Sequence, residues 1–162
     1  MLRLAHPTFY KYEDIRICFV GDSYVQGTGD PEYLGWAGRL CVNARRAGHN
    51  LTGYNLGVRR ETSADIARRW LGECAPRLPA ATDNYVLFSF GLNDVTLLRL
   101  SDGMAEVTAG LGVPYLALFP HFVNDAQWLD EVRQNDGAHP RATGYAKIAA
   151  LIEAWPQWWF RT

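Results

Sequence analysis

Short β-rich apolar runs alternate with helical segments along this chain of 162 residues. The first run, Ile15 to Val20, ends at Gly21, and apolar residues at helical spacing then cover Leu34 to Ala47. A strand predicted over Leu51 to Leu56 and a helix that opens at Thr62 repeat the pattern. Strands that alternate with helices are typical of a parallel sheet with helices on both faces. We therefore predict a three-layer α/β/α fold.

The second half of the chain continues the alternation. Tyr85 to Phe90 predicts a third strand and Val113 to Phe119 a fourth, with a short helix around Met104 to Leu111 between them. The last helix is predicted over Ala142 to Trp155, after a polar loop. A chain of 162 residues is long enough for one core and too short for two. We expect a single domain over residues 1–162, with a parallel sheet of four to five strands.

Composition excludes several classes of protein. Hydrophobic residues make up 48% and charged residues 20% of the chain, which is ordinary globular usage. The formal net charge is -1 and no Lys/Arg block is present, so nucleic acid is not an expected partner. No apolar stretch is long enough to span a bilayer, and the N-terminal MLRLAHPTFYKYEDIR lacks a leader pattern. We expect a cytoplasmic protein.

Cysteine and histidine spacing predicts neither a metal site nor a disulfide framework. Cys18, Cys41 and Cys74 are odd in number and stand far apart among apolar neighbours, so we interpret them as small buried hydrophobes. Three histidines have no carboxylate or cysteine at ligand spacing: His6, His49 and His121. We expect no metal and no cofactor.

A small polar or glycine signature follows each of the first three predicted strands. These signatures are Gly21-Asp22-Ser23, Asn55-Leu56-Gly57 and Gly91-Leu92-Asn93-Asp94, and Asp136-Gly137-Ala138-His139 precedes the last helix. A parallel sheet brings its carboxyl ends to one edge, where ligands bind in such folds. Each signature alone is typical of a turn or a helix cap. Four of them in these positions favour a functional site.

In order and residue type, the four blocks resemble those of the SGNH hydrolase (GDSL-type esterase/lipase) family, named for Ser, Gly, Asn and His. The resemblance covers nearly the whole chain. It implies a flavodoxin-like fold and a serine ester hydrolase that cleaves small or medium acyl esters or thioesters through an acyl-enzyme. It also implies a triad of Ser23, Asp136 and His139. The implied oxyanion hole consists of the Ser23 and Gly57 backbone N–H groups and the Asn93 side-chain amide.

Side-chain chemistry gives an independent reason for the triad residues. The Ser23 hydroxyl is a weak nucleophile unless a neighbouring base takes its proton. His139 suits this role, because an imidazole of ordinary pKa, about 6.5, exchanges protons near neutral pH. Asp136, on the same loop, can fix the tautomer and orientation of the imidazole. We interpret the acidic neighbours Asp22 and Asp94 as loop or cap residues.

Two other functions are compatible with a chain of this pattern. A nucleotide-binding module also uses a glycine loop between strand and helix. However, residues 27–32 lack the third glycine of GxGxxG, and no GK[ST] motif follows. The main alternative is a non-catalytic lipid- or protein-binding domain that keeps the fold. The intact Ser23, Asn93, Asp136 and His139 favour the enzyme.

Aromatic side chains outside the motifs have two readings. The C-terminal run from Trp155 to Phe160 is too apolar to be left in water, so it predicts packing against the body or a homo-oligomer contact. Other aromatic residues either line an acyl or leaving-group pocket or belong to the core, which is their commoner place: Tyr24, Trp36, Trp128 and Tyr145.

The segment between Asp94 and Val113 is shorter than the family resemblance implies. Family members usually carry a further strand and helix before the last strand, and this segment has space for only one crossover helix. Either the protein is a shortened member with a four-stranded sheet, or the sequence omits a segment of the molecule. Acyl length, leaving group, hydrolysis versus acyl transfer, and oligomeric state do not follow from spacing.

Overall fold

The structure, a computed structural model, describes residues 14–94 and 97–160, and side chains within the helix that starts at Leu97 from Gly103 onward. His6 and the N-terminal segment through residue 13 lie outside the described residues. Parallel strands form one sheet in the order β2-β1-β3. The strands are β1 (Ile15–Gly21), β2 (Leu51–Gly57) and β3 (Asp83–Ser89).

Strand β1 lies at the centre of the sheet and is buried on both faces. Its side chains alternate between the two faces, as a strand requires. Ile17 and Phe19 belong to one hydrophobic cluster, whereas Cys18 and Val20 belong to another. A near-continuous apolar strand of this kind is typical of a parallel sheet covered on both sides.

Helices cover both faces of this sheet. In chain order they are α1 (Ser23–Gln26), α2 (Gly35–Arg46), α3 (Ser63–Cys74), α4 (Leu97–Leu111), α5 (Phe119–Phe122), α6 (Ala126–Gln134) and α7 (Ala142–Ala154). Helices α2 and α7 pack on one side, where Leu40 and Ile148 join the cluster of Phe19. Helix α3 covers the other side through Ile66. The predicted three-layer α/β/α fold with a parallel sheet is confirmed.

The predicted fourth strand, Val113 to Phe119, is wrong. The described residues form three strands rather than four to five. The Val113 N–H group donates to Thr108 O at 2.9 Å and so closes helix α4, and Pro114 has no N–H group to donate to a ladder. Phe119 already begins helix α5. Leu116 and Leu118 nevertheless pack against the core.

The carboxyl ends of the three strands lie in register. Gly21 is opposite Gly57 on one side and Ser89 on the other. A Cβ on Gly21 would lie 1.9 Å from the Ser89 carbonyl oxygen, so only glycine fits there. Arg69 of helix α3 donates to Gly21 O at 3.0 Å and to Leu56 O at 2.9 Å. The edge that carries three of the sequence motifs is therefore closely packed.

The C-terminal aromatic run packs against the body of the protein. Trp158 and Phe160 are buried in the core, and the Tyr85 and Trp159 rings lie 4.5 Å apart. The prediction of intramolecular packing is confirmed. Trp159 is 41% exposed, and the homo-oligomer contact stays a prediction.

The cysteines are unpaired thiols. Cys18 and Cys74 are buried, as predicted, whereas Cys41 is half-buried. Burial raises the pKa of the Cys18 thiol to about 12, so this side chain is neutral at physiological pH. These properties fit small core residues rather than reactive groups.

Candidate active site

Ser23 lies in a sharp turn between β1 and the four-residue helix α1. Asp22 caps this helix, because its Oδ1 accepts the Tyr24 N–H at 2.9 Å. Gly27 ends it in the left-handed region at φ 85°, with its N–H donated to Ser23 O. Ser23 is only 5% exposed. The interpretation of Asp22 as a cap residue is confirmed, and the Ser23 hydroxyl lies at the carboxyl edge of the sheet.

His139 lies between Ser23 and Asp136. Its Nε2 is 2.7 Å from Ser23 Oγ, and its Nδ1 is 2.7 Å from Asp136 Oδ2. The other oxygen of Asp136 accepts the backbone N–H groups of Ala138 at 3.1 Å and His139 at 2.8 Å. The loop before α7 therefore folds around its own carboxylate. The three side chains that the sequence predicts to act together are in hydrogen-bond contact.

Charge on Asp136 determines which way these hydrogen bonds run. Burial alone raises the pKa of this carboxyl, but hydrogen bonds from the His139 amide and ring and the Ala138 amide outweigh it. The pKa of Asp136 is thereby held at about 2. An ionised carboxylate only accepts hydrogen bonds, so the neutral imidazole carries its proton on Nδ1. His139 Nε2 is then the acceptor for the Ser23 hydroxyl.

Tyr24 holds the loop that carries the histidine. Its hydroxyl donates to Ala138 O at 2.5 Å, and its ring lies 5.2 Å from the His139 ring. Trp128 stacks on Tyr24 with ring centroids 6.0 Å apart. Burial raises the pKa of Tyr24, so the phenol remains a donor. Trp36 and Tyr145 are fully buried and belong to the core, whereas Tyr24 contacts the site itself.

Gly57 brings the end of β2 next to the Ser23 turn, and Asn55 bridges the two. The Asn55 side chain donates to Val25 O at 2.8 Å and accepts the Gly57 N–H at 3.0 Å. The Gly57 N–H group, predicted as an oxyanion donor, is therefore bonded within the protein in this structure.

Asn93 and Asp94 follow β3 and contact the start of α3. Asn93 Nδ2 donates to Glu61 O at 2.8 Å, which leaves the second N–H of this amide uncommitted among the described contacts. Asp94 accepts the backbone N–H and the hydroxyl of Ser63, as expected of a capping residue. The Ser23 N–H group has no hydrogen-bond partner within the described part of the chain. The predicted donors thus lie at one edge with two N–H groups available.

Arg59 is a neighbour of the triad that the sequence does not single out. Its Nη2 is 3.4 Å from Asp136 Oδ2, the same oxygen that faces the His139 ring. No motif marks this arginine, and only its position two residues after Gly57 hints at the site.

Comparison with known proteins places the fold. A lipase/acylhydrolase from Enterococcus faecalis has a similar structure, with a TM-score of 0.64 and 19% sequence identity. The match covers 85% of this chain and 92% of that protein. No curated protein matches the sequence. The fold is therefore that of an α/β lipase/acylhydrolase.

The sequence profile of the GDSL-like lipase/acylhydrolase family matches residues 19–100, about half of the chain. This span includes the Ser23, Gly57 and Asn93 blocks. The chain belongs to this SGNH/GDSL family, and it is accordingly a carboxylic ester hydrolase. Across the residues that the structure describes, no helix has the length and apolar character needed to cross a membrane.

Proposed function

We propose that this chain hydrolyses small or medium acyl esters or thioesters through a triad of Ser23, His139 and Asp136 and a covalent acyl-enzyme. Residues 1–162 would act as one hydrolase domain. The observation that carries the proposal is the continuous hydrogen-bond chain, with 2.7 Å from Ser23 Oγ to His139 Nε2 and 2.7 Å from Nδ1 to Asp136. These two hydrogen bonds join a buried nucleophile to a base and an ionised orienting group.

In the acylation step, Ser23 Oγ attacks the carbonyl carbon of the ester while its proton moves to His139 Nε2. The imidazolium that forms is stabilised by the Asp136 carboxylate, whose low pKa keeps it ionised. The tetrahedral intermediate then loses the alcohol, which takes the proton from Nε2. A water molecule then attacks the acyl-enzyme while its proton moves to His139 Nε2. Collapse of this second intermediate releases the acid, and the proton returns to the Ser23 hydroxyl.

Negative charge on the former carbonyl oxygen requires fixed donors. The Ser23 N–H and the second N–H of Asn93 are uncommitted among the described contacts, and they are the first two donors that we propose. Gly57 N–H is the third, and it must leave Asn55 Oδ1 to reach the substrate. Each donor in such a site contributes about 3 kcal/mol to transition-state stabilisation.

A steady-state assay tests this function directly. The rates of hydrolysis of para-nitrophenyl acetate, butyrate, octanoate and laurate are measured for the wild type and for Ser23→Ala. Ser89→Ala is the matched control, because Ser89 lies at the same sheet edge outside the hydrogen-bond chain. We expect turnover of the shorter esters by wild type and control, and loss of roughly 10³-fold or more in Ser23→Ala.

Two results would contradict the proposal. Equal rates in wild type and Ser23→Ala would remove Ser23 from the chemistry. No turnover of any ester by a folded wild-type protein would favour a non-catalytic lipid- or protein-binding domain instead.

A further inference from the structure

A cleft of about 550 Å³ opens beside the Ser23 turn. It is lined by residues 26–31, Tyr33 and Arg59, and its volume lies within the range of small-molecule sites. Gln26 and Gly27 in its wall lie three and four residues after Ser23 in the chain, at the end of α1. The cleft therefore begins within one helical turn of the nucleophile.

Arg59, another residue of the lining, contacts the triad. Its guanidinium lies 3.4 Å from Asp136 Oδ2, and that oxygen is 2.7 Å from His139 Nδ1. The loop from Gln26 to Tyr33 also packs on the histidine loop and on α7. A Cβ on Gly29 would be 3.2 Å from Pro140 O, next to His139, and Tyr145 OH of α7 donates to Thr28 O at 2.7 Å. A molecule in the cleft would thus be adjacent to the reacting groups.

Arg59 gives the cleft a positive charge. Its side chain is 54% exposed, and the long contact with Asp136 is its only hydrogen bond within the described part of the chain. Most of its five N–H donors are therefore uncommitted among the described contacts. The other charged group in the lining, Asp30, is fully buried and bonded to Arg39 at 2.5 Å and to Gly35 N–H at 2.8 Å. Asp30 therefore does not cancel the charge of Arg59 toward the cleft.

The cleft also exposes an aromatic ring on a strained backbone. Tyr33 is 89% exposed and has φ 57°, in the left-handed region that disfavours a bulky side chain. Arg60, next to Arg59, has φ 72°. Such backbone costs of order 1 kcal/mol or more and clusters at ligand sites. Neither side chain belongs to the core, and of the two only Tyr33 lines the cleft.

We propose that this cleft binds an anionic group of the substrate, a carboxylate or phosphate on the acyl or the alcohol half of the ester, and that Arg59 recognises it. The proposal rests on the proposed ester hydrolysis and narrows its substrate class. A guanidinium presents two parallel N–H donors that match the oxygens of carboxylate and phosphate. Tyr33 would cover the apolar part of the same molecule.

The test compares pairs of esters in which one member carries an anionic group and the other a neutral group at the same position. In para-acetoxybenzoate the carboxylate is on the alcohol half, and in mono-para-nitrophenyl adipate it is on the acyl half. The methyl ester of each carboxylate is its neutral partner. Para-acetoxyphenyl phosphate, with para-acetoxyanisole as its neutral partner, supplies the phosphate. We expect the ratio of kcat/KM between anionic and neutral members to favour the anion in at least one pair. That ratio should fall with added salt.

Substitution of Arg59 then identifies the residue responsible. Arg59→Gln should reduce the anion-to-neutral ratio about tenfold, and Arg59→Lys should keep part of it, because charge remains but the fork is lost. The ratio cancels any effect of Arg59 on the triad itself. Arg45→Gln is the control, because Arg45 is an exposed arginine far from the cleft. Helix α2 begins at Gly35, which packs beside Gly27 of the cleft, and Arg45 is in the last turn of this helix. The twelve residues of α2 span about 18 Å.

An unchanged ratio in Arg59→Gln would overturn the proposal even if every ester is hydrolysed. Binding to Ser23→Ala protein, measured by calorimetry, examines the cleft without turnover and so separates it from the proposed catalysis. Anionic esters should bind Ser23→Ala about tenfold more tightly than the double variant Ser23→Ala/Arg59→Gln. Equal affinities would rule out an anion site at Arg59.

Discussion

Gly57 lies against the backbone of Gln26. A Cβ on residue 57 would be 2.2 Å from Gln26 N, 2.7 Å from Gln26 Cα and 2.8 Å from Asp22 O. These are backbone atoms, so no side-chain rotation can relieve the contact. The end of β2 therefore packs directly on the turn that carries Ser23, and the nucleophile depends on this glycine for its position.

Gly57→Ala should destabilise the protein and lower activity together. Forcing a methyl group against fixed backbone costs about 3 kcal/mol, and the relief is a shift of the Ser23 turn. Gly72→Ala is the matched control, because Gly72 lies within helix α3 with nothing within 4 Å of its added Cβ. That variant should be neutral or more stable by up to about 1 kcal/mol. Urea unfolding of both variants measures the difference, and equal stabilities would contradict the packing argument.

Asp136→Asn should lower kcat by roughly 10⁴-fold while the protein stays folded. The amide can donate to His139 Nδ1, which favours the tautomer whose Nε2 carries a proton and cannot accept from Ser23. The control Asp83→Asn changes a carboxylate at the amino end of β3, the opposite end of the sheet from the site. Single-turnover kinetics and circular dichroism of both variants provide the test. A folded Asp136→Asn enzyme of wild-type rate would exclude the orienting role.

Asn93→Ala should reduce kcat by about 10²-fold with a smaller change in KM, because an oxyanion donor acts mainly in the transition state. Loss of the bond to Glu61 O alone would alter stability rather than kcat. Asn84→Ala, a change of the same residue type at the amino end of β3, is the control. Steady-state kinetics on a short ester distinguish the oxyanion role of Asn93, which affects kcat, from a purely structural role. A change confined to KM would indicate that Asn93 only binds the ground state.

Asp30→Asn should destabilise the protein by roughly 3 kcal/mol near neutral pH. Burial alone raises the pKa of Asp30, but hydrogen bonds from Arg39 and from the Glu32 and Gly35 amides have a larger effect in the opposite direction. The pKa of Asp30 in the folded protein therefore lies below its ordinary value. A depressed carboxyl pKa stabilises the folded state above the unfolded pKa and loses this effect as pH falls. The difference in free energy of unfolding between wild type and Asp30→Asn should be largest above about pH 5 and should shrink below about pH 4. Urea unfolding at several pH values measures it, and a constant gap would contradict the ion-pair explanation.

Local patterns predicted most of the fold because each pattern matched its environment. The apolar run of β1 and the capping box at Thr62 depend only on residues that are close in sequence. A strand and a helix form at these positions, as predicted. Helix α6 was missed, although Asp125 as its N-cap carried a local signal. Val113 to Phe119 was misread as a strand, because its apolar composition reflected contact with the core rather than ladder pairing.

The candidate site likewise contains residues that local sequence patterns predict and residues that they do not. Ser23, Asp136 and His139 stand in blocks whose order was readable along the chain, and the fold brings them within hydrogen-bond distance. Arg59 was not predicted, because its relation to Asp136 joins residues far apart in sequence and no spacing reports it. The bonding of Gly57 N–H to Asn55 was equally hidden, since it depends on side-chain rotamers at the end of β2.

The central claim is that Ser23 is an activated nucleophile, and intact-protein mass spectrometry after exposure to a fluorophosphonate tests it most directly. Ser23→Ala serves as the negative control and Ser89→Ala as the matched positive one. We predict one adduct on wild type and Ser89→Ala, mapped by peptide analysis to Ser23, and none on Ser23→Ala. A folded wild-type protein that gains no adduct, or gains it at another residue, would contradict the account.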